Sequence, residues 1–91
     1  GATMNQRYVP RYTSTTLSVR ASYLLAGTTV YRQQLVSGRW KTVSSRKLGP
    51  DGRVNFGVYT SVKGVKYYRA LIPATSAHAA TASPSFLLRT Y

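Results

Sequence analysis

The chain has 91 residues, of which 13 are lysine or arginine and one, Asp51, is acidic, so the formal net charge is +12 at pH 7. This length accommodates one domain, and a hydrophobic content of 43% is too high for a disordered polycation. One carboxylate and no cysteine exclude two-carboxylate catalysis, two-metal sites, thiol nucleophiles and thiolate zinc sites. We therefore expect a binding or structural module rather than an enzyme, with no cofactor.

The first four residues, Gly-Ala-Thr-Met, resemble the remnant of an expression vector. We therefore give residues 1–4 little weight and expect one domain over residues 5–91. The longest uninterrupted apolar candidate is residues 23–26, whereas a membrane-spanning helix needs roughly 20 residues. The sequence accordingly predicts no membrane span.

Apolar and polar residues alternate with a period of two along several segments. The residues on the apolar parity of the three clearest segments are Thr15, Leu17, Val19, Ala21, Val54, Phe56, Val58, Tyr68, Ala70 and Ile72. Such alternation is typical of antiparallel strands that have one buried and one solvated face. It predicts an all-β protein, and no segment carries the pattern of an amphipathic helix.

Turn signals separate these segments. Ser37-Gly38 is spaced for a two-residue hairpin connection, and Gly49-Pro50-Asp51-Gly52 is the strongest turn signal in the chain. Pro73 ends the segment before it, and the small, polar residues 74–83 are predicted to form a loop. The predicted strands are residues 6–12, 15–23, 28–36, 39–46, 53–60, 65–72 and 84–91. Strands at this spacing predict a β-sandwich or a small barrel.

Several short stretches, taken in order, carry a family resemblance. They are residues 30–33, 37–43, 51–56, 67–70, 72–75, 79–80 and 83–84, and the resemblance that their order and spacing carry covers residues 26–91. Together they resemble the immunoglobulin-like repeat modules, related in shape to fibronectin type III, of secreted actinobacterial proteins. The resemblance implies a β-sandwich of about seven antiparallel strands. It also implies a secreted or cell-surface location and a non-catalytic accessory role beside catalytic or adhesive domains.

The positive charge is a property of this chain that the resemblance does not supply. Arginine predominates among the basic residues, and arginine forms bidentate pairs with phosphate, sulfate and carboxylate. We expect the strands at 28–36, 39–46, 65–72 and 84–91 to share one sheet. Alternation then places on its outer face Tyr31, Lys41, Tyr67, Arg69 and Arg89. With Arg39, these are the predicted ligand-binding residues, whereas Arg32 shares the parity of Val30 and is expected at the edge of the core.

The sequence does not favour a binding role for Trp40, Tyr68 or His78, and it leaves Tyr91 open. Trp40 is either a stacking platform for a sugar or base, or an anchor in the core or on a sheet face, and the anchor is favoured. Tyr68 lies near the position of the tyrosine corner of sandwich domains, so we expect it to be structural. Tyr91 is as consistent with binding as with a plain surface position. His78 has no nearby partner for catalysis or for a metal ion, so no metal site is predicted.

Three functions stay open at this point. The favoured hypothesis is an accessory module that attaches to an anionic polysaccharide or cell-wall polymer, or to a protein partner, through a basic face. The second is a nucleic-acid-binding β-module, since single-strand binders interleave cations with aromatic residues on a sheet face. The third is a structural spacer of a larger secreted protein. In each case we expect a monomer or one part of a larger chain.

Overall fold

The computed structural model describes residues 1–76 and 78–91, and over these residues the chain is all-β. The strands in chain order are β1 (Ala2–Met4), β2 (Tyr8–Val9), β3 (Thr13–Arg20), β4 (Thr29–Val36), β5 (Arg39–Lys47), β6 (Arg53–Thr60), β7 (Gly64–Ile72), β8 (Thr81–Ala82) and β9 (Phe86–Thr90). A single 3-10 turn, Tyr23–Leu25, connects β3 to β4. Within the described residues, no helix is long and apolar enough to cross a membrane.

The strands form two sheets. The smaller sheet has the order β1-β3-β6, and the larger has the order β2-β9-β7-β4-β5, with β8 paired to β7 beside that path. The recorded pairings are antiparallel except for β2 with β9, which is parallel. The prediction that four strands share one sheet is confirmed, because β4, β5, β7 and β9 all belong to the larger sheet.

The core lies between the two sheets. Leu17 and Val58 of the smaller sheet and Val30 of the larger sheet are fully buried, and Phe56 and Leu88 are nearly so. Each buried side chain of this size stabilises the fold by about 1.5–3 kcal/mol. The predicted alternation is confirmed, because every residue on the predicted apolar parity is buried or packs against the buried cluster.

Both predicted turns are present. Ser37 and Gly38 have φ values of 52° and 77°. Positive φ at both central residues is the type I′ geometry, whose twist matches the flanking strands. At the second turn, the backbone N–H of Gly52 donates to the carbonyl of Gly49 at 2.9 Å, and Gly52 has a φ of 76°. The carbonyl of Gly52 also accepts the N–H of Ala21 at 2.8 Å, which joins this turn to the end of β3.

Several predicted boundaries at the start of the chain are wrong. The strand predicted over residues 6–12 is reduced to β2, because Pro10 offers no backbone donor and Tyr12 has a left-handed φ of 65°. The strand predicted over residues 15–23 begins earlier and ends at Arg20, after which the Ser22 hydroxyl accepts the N–H of Leu24 at 3.1 Å and caps the 3-10 turn. Residues 1–4 contain β1, and the side chain of Met4 is buried in the core.

The predicted loop over residues 74–83 is interrupted near its end. Thr81 and Ala82 form β8 and pair with Ile72 and Leu71 of β7. Ala77, which also belongs to the predicted loop, lies outside the described residues. The rest of the described part of this segment contains no strand.

We predict that Gly52→Ala lowers the free energy of unfolding by more than about 1 kcal/mol. A Cβ at Gly52 would lie 2.5 Å from the carbonyl carbon of Ser22, and the left-handed φ disfavours any side chain. Gly57→Ala is the matched control, since a Cβ there meets nothing within 4 Å and Gly57 lies in β6. Urea denaturation measures both variants, and equal stabilities for the two would contradict this interpretation of the turn.

Candidate functional site

The cations of this protein far outnumber the acids that are able to neutralise them. The only carboxylate belongs to Asp51, and one of its oxygens accepts the backbone N–H of Arg53 at 3.1 Å. Several arginines instead lie over aromatic rings: Arg11 over Tyr12 at 5.4 Å, Arg32 over Tyr68 at 5.4 Å and Arg69 over Trp40 at 4.5 Å. Within the described residues none of the other cations forms an ion pair, so a strong positive field surrounds the molecule.

Four of these cations line one open groove. The groove has a volume of about 900 Å³ and lies where the end of the smaller sheet meets β5 of the larger sheet. We call it the basic groove, and its cationic lining consists of Arg20, Arg46, Lys47 and Arg53. Asp51 also lines it, so four positive side chains meet one negative side chain. This surplus makes the groove a candidate site for an anion.

The register of the smaller sheet brings two of these cations together. Arg20 ends β3 and Arg53 begins β6, and the two residues are direct antiparallel partners. Directly opposed residues have Cβ atoms about 4.5–5.5 Å apart and project from the same face of the sheet. Both side chains are exposed, because the alternation that buries Val19 and Val54 turns their neighbours outward. Distant parts of the chain thus supply two arginines that are direct neighbours on one face of the sheet.

Arg46 connects the groove to the larger sheet. Its Nη1 donates to the backbone carbonyl of Asn55 in β6 at 2.8 Å. This bond satisfies an acceptor on the free edge of the smaller sheet and holds the Arg46 guanidinium at the groove wall. A guanidinium has five N–H donors, so donors remain for a ligand. Within the described residues, no side-chain hydrogen bond or ring contact occupies Arg20, Lys47 or Arg53.

The predicted outer face of the larger sheet brings together four of the six predicted binding residues. Tyr31 pairs with Leu71, and Tyr67 pairs with Leu87. Residues two apart on a strand share a face, so Arg69 and Arg89 project from this same outer face. Tyr67 and Arg89 are exposed, whereas Tyr31 and Arg69 are half-buried.

Lys41 does not lie on this face, which corrects the prediction, and neither does the sixth predicted binding residue, Arg39. The register of β4 and β5 shifts between Arg32, which pairs with Ser44, and Gln33, which pairs with Thr42. Val43 is therefore an extra residue in β5, and a bulge of this kind reverses the faces of every residue beyond it. Lys41 pairs with Gln34 and Arg39 with Val36, so both share the face of Val30 at the exposed edge of the sheet.

Arg69 is engaged within the protein. Its Nε donates to Oε1 of Gln33 at 2.7 Å, and its guanidinium lies 4.5 Å from the centre of the Trp40 ring. Nε2 of Gln33 donates in turn to the hydroxyl of Thr42 at 3.2 Å. Because Trp40 pairs with Leu35, it lies on the outer sheet face, and Arg69 occupies one face of its ring. This network makes Arg69 and Trp40 anchors of the sheet surface.

The far end of the same face has exposed aromatic rings. Tyr8 and Tyr91 contact each other edge to face, with ring centres 4.5 Å apart. Tyr8 pairs with Arg89, so two tyrosines and one arginine share this end of the face. The sequence prediction did not include Tyr8, because nothing in the local pattern indicates the parallel pairing of β2 with β9.

Arg32 and Tyr68 form an arginine–aromatic contact at the edge of the core. Arg32 lies at the edge of the core, as predicted, and its Nε is buried without a hydrogen-bond partner among the described residues. Desolvation by burial lowers the pKa of Arg32, and the Tyr68 phenol acts against this shift. Desolvation likewise raises the pKa of Tyr68, and the positive charge of Arg32 opposes that shift. The stacked pair is therefore a structural feature.

Comparisons with known proteins do not add to this description. The chain matches no known family model, no curated protein and no solved structure. The likeness to immunoglobulin-like modules thus stays a prediction. The candidate site rests on geometry and charge alone.

The basic groove itself was not predicted from the sequence. The outward parity of Arg20 and Arg53 is readable, and so is the Gly49–Gly52 turn that precedes β6. The missing information is the pairing of β3 with β6 and the approach of β5, which are contacts between distant segments. The outward parity of Arg20 and Arg53 is the one sequence signal that could have indicated this site.

We predict that Tyr68→Phe reduces the loss of stability at alkaline pH. The raised pKa of Tyr68 means that its stabilising contribution is full below the ordinary value of 10.0 and falls as pH rises toward the folded-state value. The variant keeps the ring and removes the ionising group, so the free energy of unfolding should fall less steeply above about pH 10. Tyr59→Phe, at an exposed position, is the control. Identical alkaline slopes for the two variants would contradict the burial of the Tyr68 phenol.

Proposed function

We propose that this chain is a secreted, non-catalytic immunoglobulin-like module that attaches to an anionic polymer of the cell surface. The observation that carries the proposal is the basic groove, where Arg20, Arg46, Lys47 and Arg53 line one open cavity. The two packed sheets support an immunoglobulin-like sandwich, since both sheets contribute to one core. Acidic polysaccharides and phosphate-containing wall polymers have the required charge.

The mechanism of attachment is electrostatic. Cations that neutralise charges on a polyanion release its condensed counterions, and this release favours binding at low salt. The groove cations Arg20, Lys47 and Arg53 have no internal partner among the described residues, so no ion pair must break before a ligand binds. The affinity therefore depends on the number of ligand charges that the groove neutralises.

The outer face of the larger sheet extends the binding surface. Tyr8, Tyr67 and Tyr91 are 65%, 39% and 51% exposed, and Arg89 lies among them. Exposed tyrosine rings stack on planar or ring-shaped groups, and arginine adds charge beside them. These residues supplement the groove with contacts that depend less on salt.

Nucleic-acid binding is a second candidate function, and this outer face favours it. Tyrosines interleaved with an arginine on one sheet face are the arrangement on which single strands stack. Retention on columns of single-stranded DNA and of acidic polysaccharides, compared at the same salt concentration, separates the two candidate functions. An acidic protein partner would use the same groove chemistry.

We predict salt-dependent retention of the protein on immobilised acidic polysaccharide. If four ligand charges are neutralised, the affinity should fall about 50- to 150-fold between 50 and 200 mM salt. Columns of dextran sulfate, polygalacturonate and single-stranded DNA, with uncharged dextran as the control matrix, measure this dependence. Stronger retention on DNA than on both polysaccharides at 150 mM salt would favour the nucleic-acid function.

Two outcomes would contradict the proposal. Retention that does not change with salt would exclude the electrostatic mechanism. Equal elution from the charged matrices and from uncharged dextran would exclude an anionic polymer as the ligand. The matched variants K41Q/K63Q and R20Q/R53Q remove the same number of charges, and the second pair should weaken retention more because it lies in the groove.

A further inference from the structure

Arg20 and Arg53 are an unusual pair of neighbours in a sheet. They are direct partners in the register of β3 and β6, and both carry a positive charge. Like charges placed directly opposite each other across two strands destabilise the sheet. The single acid nearby, Asp51, is bonded to the backbone N–H of Arg53. The fold therefore holds two cations together without an internal anion between them.

The surroundings of this pair add further cationic donors. Arg46 is held at the groove wall by its bond to the carbonyl of Asn55, and Lys47 lines the same groove. Each guanidinium offers five N–H donors in a planar fork, and a lysine ammonium offers three. The lining of the groove thus contains further donors beside those of Arg20 and Arg53.

The number of acceptors in a ligand decides which anion matches these donors. A carboxylate has two coplanar oxygens, and a single guanidinium fork satisfies both of them. A carboxylate paired with Arg20 in this way has its remaining lone pairs in the same plane, so it offers Arg53 fewer acceptor directions than a tetrahedral group does. A phosphate monoester or sulfate ester has three free oxygens around a tetrahedral centre, so one oxygen bridges two forks while the others accept from neighbouring donors.

We infer that the basic groove is a binding site for a tetrahedral oxyanion with three free oxygens, a phosphate monoester or a sulfate ester, held between Arg20 and Arg53. This inference rests on the proposed attachment to an anionic polymer and names the group that the groove recognises. Binding of the oxyanion removes the repulsion between the two guanidinium groups. It therefore stabilises the fold as well as attaching the ligand.

Thermal unfolding in different anions at one ionic strength tests this inference. The probes are inorganic phosphate and inorganic sulfate, with acetate and chloride as the references. At a concentration of ten times its Kd, phosphate or sulfate should raise the Tm of the unsubstituted chain by about 6–11 °C above the value in chloride. Acetate should raise the Tm less than phosphate or sulfate does.

Matched variants separate site binding from general salt effects, since phosphate and sulfate also stabilise proteins by exclusion from the surface. R20Q/R53Q should lose the extra rise in Tm. In dilute chloride it should melt at a higher temperature than the unsubstituted chain, because the repulsion between Arg20 and Arg53 is removed. K41Q/K63Q removes the same charge elsewhere and should keep the extra rise. R20K/R53K keeps the charge but loses both planar forks, so its extra rise should be smaller.

Two results would overturn the inference: an undiminished extra rise in R20Q/R53Q, or an acetate effect equal to that of phosphate. Retention on dextran sulfate and polygalacturonate, measured in parallel, distinguishes this failure from failure of the proposed function. Salt-dependent retention without a phosphate-specific effect contradicts only the oxyanion site. Loss of retention on both polymers contradicts the attachment function itself. Preference for dextran sulfate over polygalacturonate supports a tetrahedral group on a polymer as the ligand.

Discussion

Electrostatic repulsion among thirteen cations, opposed by one carboxylate, is the constraint on which the rest of this structure depends. In most folded proteins acidic side chains neutralise much of the positive charge, whereas this chain has a single acidic side chain. Ten of the thirteen cations are exposed to solvent, which screens their charges, whereas Arg32, Lys66 and Arg69 are half-buried. The core between the sheets is largely apolar, although it includes Thr15, and Arg32 is a cation at its edge whose charged form burial disfavours.

Aromatic rings and a backbone carbonyl bind several of the arginines, as acidic side chains usually do. Arg69 lies over Trp40, Arg32 over Tyr68 and Arg11 over Tyr12. The electron-rich face of a ring attracts a cation without adding negative charge. Arg46 is likewise held by a carbonyl on the edge of the smaller sheet. These arrangements orient individual guanidinium groups but leave the net charge of the chain unchanged.

Much of the fold was predictable, because the relevant signals are local. Alternation identified the core residues Leu17, Val30, Phe56 and Tyr68, and the turn residues identified the Ser37-Gly38 hairpin. The face of Lys41 was predicted wrongly, because the extra residue Val43 in β5 leaves no mark in the alternation. The parallel pairing of β2 with β9 and the pairing of Arg20 with Arg53 join distant segments, so only the folded chain brings these residues together.

The claim that repulsion among the cations opposes folding is tested most directly by the free energy of unfolding of the unsubstituted chain, measured as a function of sodium chloride concentration. The Debye length falls from about 30 Å at 0.01 M to about 8 Å at 0.15 M, so added salt screens repulsion across the whole molecule. If unneutralised cations oppose folding, the free energy of unfolding must rise over this range. A free energy of unfolding that stays constant or falls with added chloride would contradict the account.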